Sequence, residues 1–188
     1  PTARVEPGAV TLALPQDVQA EASDWPEELF TERTWYVARP LPEASIVDKA
    51  VDLLRSAQRP LIVAGGGVHY SGAEDALREF AEATGVPVAE SQAGKGSLRY
   101  DHPQSVGAVG STGTTGANPL ARDADLVIGI GTRFADFTTA SRTAFQNPDV
   151  RFVNINVARF DGGKHAGLPL VADAREALVS LRSALGVW

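Results

Sequence analysis

From residue 42 onward the sequence alternates between two hydrophobic periods, and this alternation limits the fold more than any other feature. Ile46, Val47, Ala50, Leu53, Leu54 and Ala57 recur at helical spacing. A continuous apolar run ending in glycines follows, PLIVAGGG (Pro60–Gly67), and reads as a buried strand that empties into a loop. Ser71-Gly-Ala-Glu74 has capping-box form and opens a helix at about Gly72, with Ala73, Ala76, Leu77, Phe80 and Ala83 inward. Gly85 ends it. VPVAES (Val86–Ser91), LVIGIG (Leu126–Gly131), FVNINV (Phe152–Val157) and LPLVAD (Leu168–Asp173) are further strands. A last helix takes Asp173 as N-cap and turns Ala174, Ala177, Leu178, Leu181 and Leu185 to one face. Strands apolar on both faces, alternating with amphipathic helices, predict an α/β fold. Its form is a three-layer, Rossmann-like parallel sheet of about six strands with helices on both faces and right-handed crossovers. Ligands on such sheets bind beyond the carboxyl ends of the strands, which puts Gly65–His69, Ser91–Ser97 and Gly131–Asp136 on one rim.

The first 41 residues have a different character. Of the net charge of −6, four units fall in residues 1–40, and Glu21–Glu32 holds five acids and no base beside Trp25, Pro26 and Phe30. With Trp35, these residues read as a linker with aromatic anchors. Ala9–Pro15 alternates like a strand but has no neighbour in sequence to pair with, so it is expected to close a preceding domain. The expected organisation is therefore a trailing strand in 1–15, a linker in 16–41 and one α/β domain in 42–188. The chain contains no Met, which also suggests a piece of a longer protein.

Composition excludes several classes of function. An acidic balance without a Lys/Arg cluster argues against a nucleic-acid partner, because that affinity comes largely from counterion release at basic patches. The absence of cysteine removes disulfides, thiolate zinc sites and cysteine nucleophiles. No apolar run reaches the roughly 20 residues that span a bilayer, so no membrane partner and a cytoplasmic location are expected. His69, His102 and His165 are too far apart for a metal motif. Ser111, Thr112, Thr114 and Thr115 stand outside any G-x-S-x-G elbow.

The triplet Gly65-Gly66-Gly67 could bring backbone close to a phosphate or simply make a tight turn. Tyr70 stands where a dinucleotide fingerprint would need its last glycine. Gly113–Pro119 could cradle an anion or cap a helix. Arg133, just beyond a strand end, could clamp an anion or pair with Asp136. No general acid, base and nucleophile assemble, and no catalytic residue is expected.

Several segments together resemble a known family. VTLALPQDVQAEA (Val10–Ala22) and RTWYVARPLPE (Arg33–Glu43) are similar to the junction between the pyrimidine-binding and central domains of thiamine diphosphate (ThDP) enzymes. RPLIVAGGGV (Arg59–Val68), GVPVAESQAGKGSL (Gly85–Leu98), DHPQSVGAVGSTGTTGAN (Asp101–Asn118), DADLVIGIGTRFADF (Asp123–Phe137) and FVNINV resemble the central domain in order and spacing. LALPQDVQAEA and the Trp-rich acidic linker most resemble the branch of hydrolases that open a cyclic 1,2-diketone in myo-inositol breakdown.

The resemblance implies a full-length enzyme that uses ThDP and Mg²⁺, supplied by pyrimidine-binding and diphosphate-binding domains absent here, and that forms a homo-oligomer. The implied reaction begins with attack of the ThDP ylid on a ring carbonyl, after which the adjacent C–C bond breaks and water releases an open-chain acid. This chain lacks the GDG motif that holds Mg²⁺; Asp161-Gly162-Gly163 has the wrong order. The chain alone is expected to hold no ThDP or Mg²⁺, to be inactive, and to contribute scaffold, dimer contacts or channel wall. Some relatives bind FAD or ADP across this domain. The matching positions are Gly65, Gly66, Gly67, Gly110, Gly113, Gly131, Thr132 and Arg133. Ala135-Asp136-Phe137, Asn154 and Asn156 depart from the acidic pattern of the flavin-binding members, so a vestigial groove is the expectation. A free-standing nucleotide-binding module is the alternative.

Overall fold

Pro60 opens the first strand, at the one position of a central strand that tolerates a residue with no amide to donate, and the apolar residues after it have sheet on both sides. In the computed structural model, which describes residues 11–34 and 36–188, β1 (Pro60–Ala64) lies between β2 (Val88–Glu90) and β4 (Leu126–Ile130). Ile62 stands opposite Val88 on one side and Ile128 on the other, in parallel register. With β3 (Ser105–Ala108), β5 (Arg151–Asn156) and β6 (Leu168–Val171) the sheet has six strands in the order β3-β2-β1-β4-β5-β6, all parallel. The order reverses at β1 and β4, which places the switch point there.

Helices cover both faces. The larger apolar cluster joins one sheet face to α2 (Ala44–Ser56), α4 (Glu74–Thr84) and α8 (Ala174–Leu185) through Leu54, Ile62, Leu77, Phe80, Leu126, Leu178 and their neighbours. The smaller cluster lies on the opposite face, where Leu61, Val63, Val127, Phe134 and Phe152 meet Ala117 and Ala121 of α5 (Ala117–Asp123). Each fully buried Leu, Ile or Phe removes enough apolar surface to stabilise the fold by about 1.5–3 kcal/mol. The two clusters together outweigh any single polar contact described below.

Asp173 caps α8 as its position in the sequence implies, accepting hydrogen bonds from the Arg175 and Glu176 amides, and all five residues expected on the inner face of α8 are buried. The second helix differs from expectation. A five-residue helix, α3 (Gly67–Ser71), starts inside the glycine triplet, and Ser71 Oγ donates to the Val68 carbonyl instead of capping α4. Ala73 takes the N-cap of α4 with no side-chain bond. The inner face of α4 is Leu77, Phe80, Ala81 and Thr84, at i, i+3, i+4 and i+7, while Ala83 falls off that stripe and is exposed. β3 has no apolar run to announce it. It is a short edge strand interrupted by Gly107 at φ +84°, where the pairing with β2 shifts register.

The chain divides into two units, 1–38 and 39–188. The second contains all the sheet. In the first, α1 (Gln16–Gln19) and a 3-10 turn (Glu27–Phe30) are the described elements, and Trp25 and Phe30 are exposed. Ala9 and Val10 of the expected strand, and Trp35, lie outside the described residues; 11–15 carry no strand. Among the described residues no helix is long and apolar enough to cross a membrane.

Candidate functional site

The carboxyl ends of β1 and β4 meet through glycine backbone. The Gly65 amide donates to the Ile130 carbonyl (2.8 Å), the Gly67 amide to Gly131 (3.0 Å), and the Gly131 amide to Ile155 of β5 (2.8 Å). Gly131 has φ +59°, a conformation that favours glycine. A Cβ there would collide with Gly67, and one on Gly65 would collide with Gly131. Gly66 faces the Ala93 methyl, 3.3 Å from where its own Cβ would stand. The structure therefore brings Gly65, Gly66, Gly67 and Gly131 together, and contacts inside the chain account for all four.

Gly110 and Gly113 stand farther along the rim, after β3. The Asn118 carboxamide grips Gly110 from both sides, accepting from its amide (2.9 Å) and donating to its carbonyl (3.0 Å). Gly113 packs over the same side chain, and Gly110, at φ +106°, packs against the Phe137 carbonyl. Thr114 Oγ1 accepts from the Ala117 amide at 3.0 Å and starts α5, so the capping option is the one realised. The same hydroxyl donates to the Val106 carbonyl (2.9 Å), covering an acceptor of edge strand β3.

Thr132 is buried and Arg133 exposed. Lys164 Nζ donates to the Arg133 carbonyl (2.7 Å) and pairs with Asp161 (2.7 Å). Asn156 donates to the Thr132 carbonyl (3.1 Å) and accepts from the Ala158 amide (2.9 Å). These two side chains hold the 131–134 turn from below. The rim ion pair between Arg133 and Asp136 does not form; Asp136 accepts from Ser141 Oγ instead (3.2 Å), and Arg133 has no ion-pair partner among the described residues. Asn154 donates to the Gly162 and Lys164 carbonyls at 2.9 and 2.8 Å, and its buried Oδ1 has no partner among the described residues.

The loop leaving β2 is the part of the rim whose fastenings sequence reasoning missed. Ser91 Oγ accepts from the Gly94 amide (3.2 Å), and Gly94 packs on the Ala64 carbonyl. Glu90 Oε1 accepts from the amides of Gly96 (3.0 Å) and Leu98 (3.3 Å). His69 of α3 reaches Glu74 and the Lys95 carbonyl, and Glu74 with Glu90 holds its pKa above the ordinary 6.5. Neither Glu90 nor His69 belongs to a sequence motif: Glu90 serves amides six and eight residues on, and His69 joins a carboxylate five residues on to a carbonyl of a different loop. His165 stacks on Phe152 (4.7 Å between centroids) and meets Phe134 edge-on; burial, with Arg142 and Lys164 nearby, pushes its pKa down.

The described residues offer no ligand set for Mg²⁺. Asp161 is committed to Lys164, and no group of three His, Cys, Asp or Glu side chains could hold a metal among the described residues. Two open depressions, of about 330 Å³ between α4 and α8 and about 260 Å³ beside α5, are lined by neither Gly65–Gly67 nor Gly131–Arg133.

Comparison with known proteins gives a consistent result. The family described as "Thiamine pyrophosphate enzyme, central domain" matches residues 47–181. The 3D-(3,5/4)-trihydroxycyclohexane-1,2-dione hydrolase of Clostridium perfringens (strain 13) is 46% identical over 180 residues, covering 96% of this chain and 28% of the relative. The hydrolase 1 of that name from Bacillus cereus (strain ZK) is 47% identical over 180 residues with the same coverage. This chain thus spans about 28% of the length of these relatives. The crystal structure of a protein described as a thiamin diphosphate-dependent enzyme from Mycobacterium smegmatis superposes with TM-score 0.66 at 24% identity. It covers 84% of this chain and 30% of that one, a likeness of fold.

Proposed function

The chain belongs to the thiamine pyrophosphate enzyme central domain family, and on that premise we propose that it is the non-catalytic middle domain of a ThDP-dependent hydrolase acting on a cyclic 1,2-diketone. The observation that carries this reading is identity of 46–47% to hydrolases of that name over 96% of the chain. In the complete enzyme, ThDP with Mg²⁺ would supply the carbanion chemistry that breaks the ring C–C bond. Residues outside this chain would hold it. The present residues would provide a rigid six-stranded body and a share of the contacts between domains and subunits.

The glycine rim belongs to that scaffold role. Gly65, Gly67, Gly110, Gly113 and Gly131 each stand where a Cβ would meet the chain itself. Asn156 spends both ends of its amide on neighbouring backbone, where a ribose reader would keep a carboxylate free. We read the groove as vestigial.

Replacing the corresponding segment of the C. perfringens hydrolase with this chain tests the proposal. Ring opening within about tenfold of the parent is expected, a loss of under 1.4 kcal/mol in transition-state stabilisation. A correctly assembled chimera that binds ThDP yet lacks activity would count against the substrate assignment. FAD and ADP added to the isolated chain should leave its melting temperature unchanged; saturable binding of either would restore the nucleotide-binding alternative.

A further inference from the structure

His69 is surrounded by acceptors. Its Nδ1 lies 2.8 Å from Glu74 Oε1 and its Nε2 3.1 Å from the Lys95 carbonyl oxygen. Ser97 Oγ, 3.4 Å from Nε2, has its own proton committed to the Gly94 carbonyl at 2.6 Å. No donor is offered to the ring, so the arrangement is satisfied only when both nitrogens carry hydrogen, as in the imidazolium. Glu74 belongs to α4, Lys95 and Ser97 to the loop leaving β2, and His69 to the helix leaving β1. One side chain therefore ties together the exits of two adjacent strands.

We infer that His69 is a proton-operated latch that fixes the Ser91–Leu98 loop against α3 and releases it when the imidazolium loses its proton. The groups facing it from each packed element favour the cation. Glu74 faces it from α4, and Glu90 from β2, where the same carboxylate anchors the Gly96 and Leu98 amides. Lys95 turns its carbonyl to the ring. From α8, Asp173 pairs with Arg39, whose guanidinium donates to the carbonyl of Tyr70 next to the latch. A neutral ring has one N–H for two strong acceptors, so either Glu74 or the Lys95 carbonyl must face a lone pair. Because the folded pKa is raised, the latch is fully closed below about 6.5, the unfolded value. It opens as pH rises through the folded value. Glu90 and the Ser91–Gly94 contacts then hold the loop without His69, and its Lys95–Leu98 end, on the β1–β2 half of the carboxyl rim, becomes more mobile.

Nuclear magnetic resonance of the 188-residue chain tests it. The His69 ring should titrate above 6.5, and the amides of Gly96, Ser97 and Leu98 should shift with the same midpoint. Their hydrogen-exchange protection, corrected for intrinsic pH dependence, should fall above that midpoint. Glu74→Gln should move the midpoint down toward the ordinary value and carry the loop amides with it. Glu79→Gln, on the same helix as Glu74 but paired with Arg182 of α8, should leave both unchanged. A ring that titrates at or below 6.5, or loop amides indifferent to its titration, overturns the latch. The wild-type and Glu74→Gln titrations decide the question even if a His69→Gln chain fails to fold.

Discussion

At the scale of single residues, the decisive positions on the rim are those where backbone meets backbone. Gly131 and Gly72 share a φ of +59°, yet a Cβ on Gly131 would strike Gly67 while one on Gly72 would meet nothing within 4 Å. Gly72→Ala should therefore cost only the conformational penalty of a left-handed L-residue, about 1–2 kcal/mol. Gly131→Ala adds a steric clash that the parallel strands cannot relieve, and a loss of about 3 kcal/mol or more is expected. Urea unfolding of the two variants measures the difference directly, and equal losses would show that the rim can yield. The same comparison explains why a glycine triplet in a sequence is ambiguous. Gly65-Gly66-Gly67 has the composition of a phosphate loop, and only the arrival of Gly131 from 64 residues later shows what fills the space.

Elements in this fold are secured at their ends as much as along their faces. Asp173 is buried, caps the Arg175 and Glu176 amides, accepts from Arg39 at 2.8 Å, and presents its own amide to the Pro40 carbonyl at 2.9 Å. Asp173→Asn keeps a capping oxygen and loses the charge. Asp173→Ala loses both and leaves the first turn of α8 unsatisfied. The expected order is a loss of about 1–2 kcal/mol for the cap in the alanine variant, with the asparagine variant intermediate. Thermal denaturation reads that order, and an asparagine variant as damaged as the alanine one would make the ion pair the larger contribution. The outermost strands are protected by different means. β6 carries Pro169, which has no amide to offer a neighbour, and β3 is kinked at Gly107 and covered by Thr114. Those devices also explain why β3 was illegible in the sequence: the features that guard an edge erase the apolar run that marks a strand.

For the whole molecule, residues 39–188 contain every strand among the described residues and both apolar clusters. A chain of those residues alone should melt within about 3 °C of the 188-residue chain, since a change under 1 kcal/mol shifts a domain of this size by no more than 2–4 °C. Calorimetry would contradict this if the shorter chain lost its cooperative transition. Legible from residue order are the α/β class, five of the six strands, the cap of α8 and the rim on which Gly65–Gly67 and Gly131–Arg133 gather. These follow from hydrophobic period and turn chemistry, which are local. The tertiary structure decided the rest. It placed the start of α3 inside the glycine triplet, turned Ala81 inward in place of Ala83, and left Arg133 without Asp136. It also set His69 against a carbonyl 26 residues away. Such contacts depend on where separate strand ends arrive in space, and in a parallel sheet those ends are brought together by crossovers that no local pattern records.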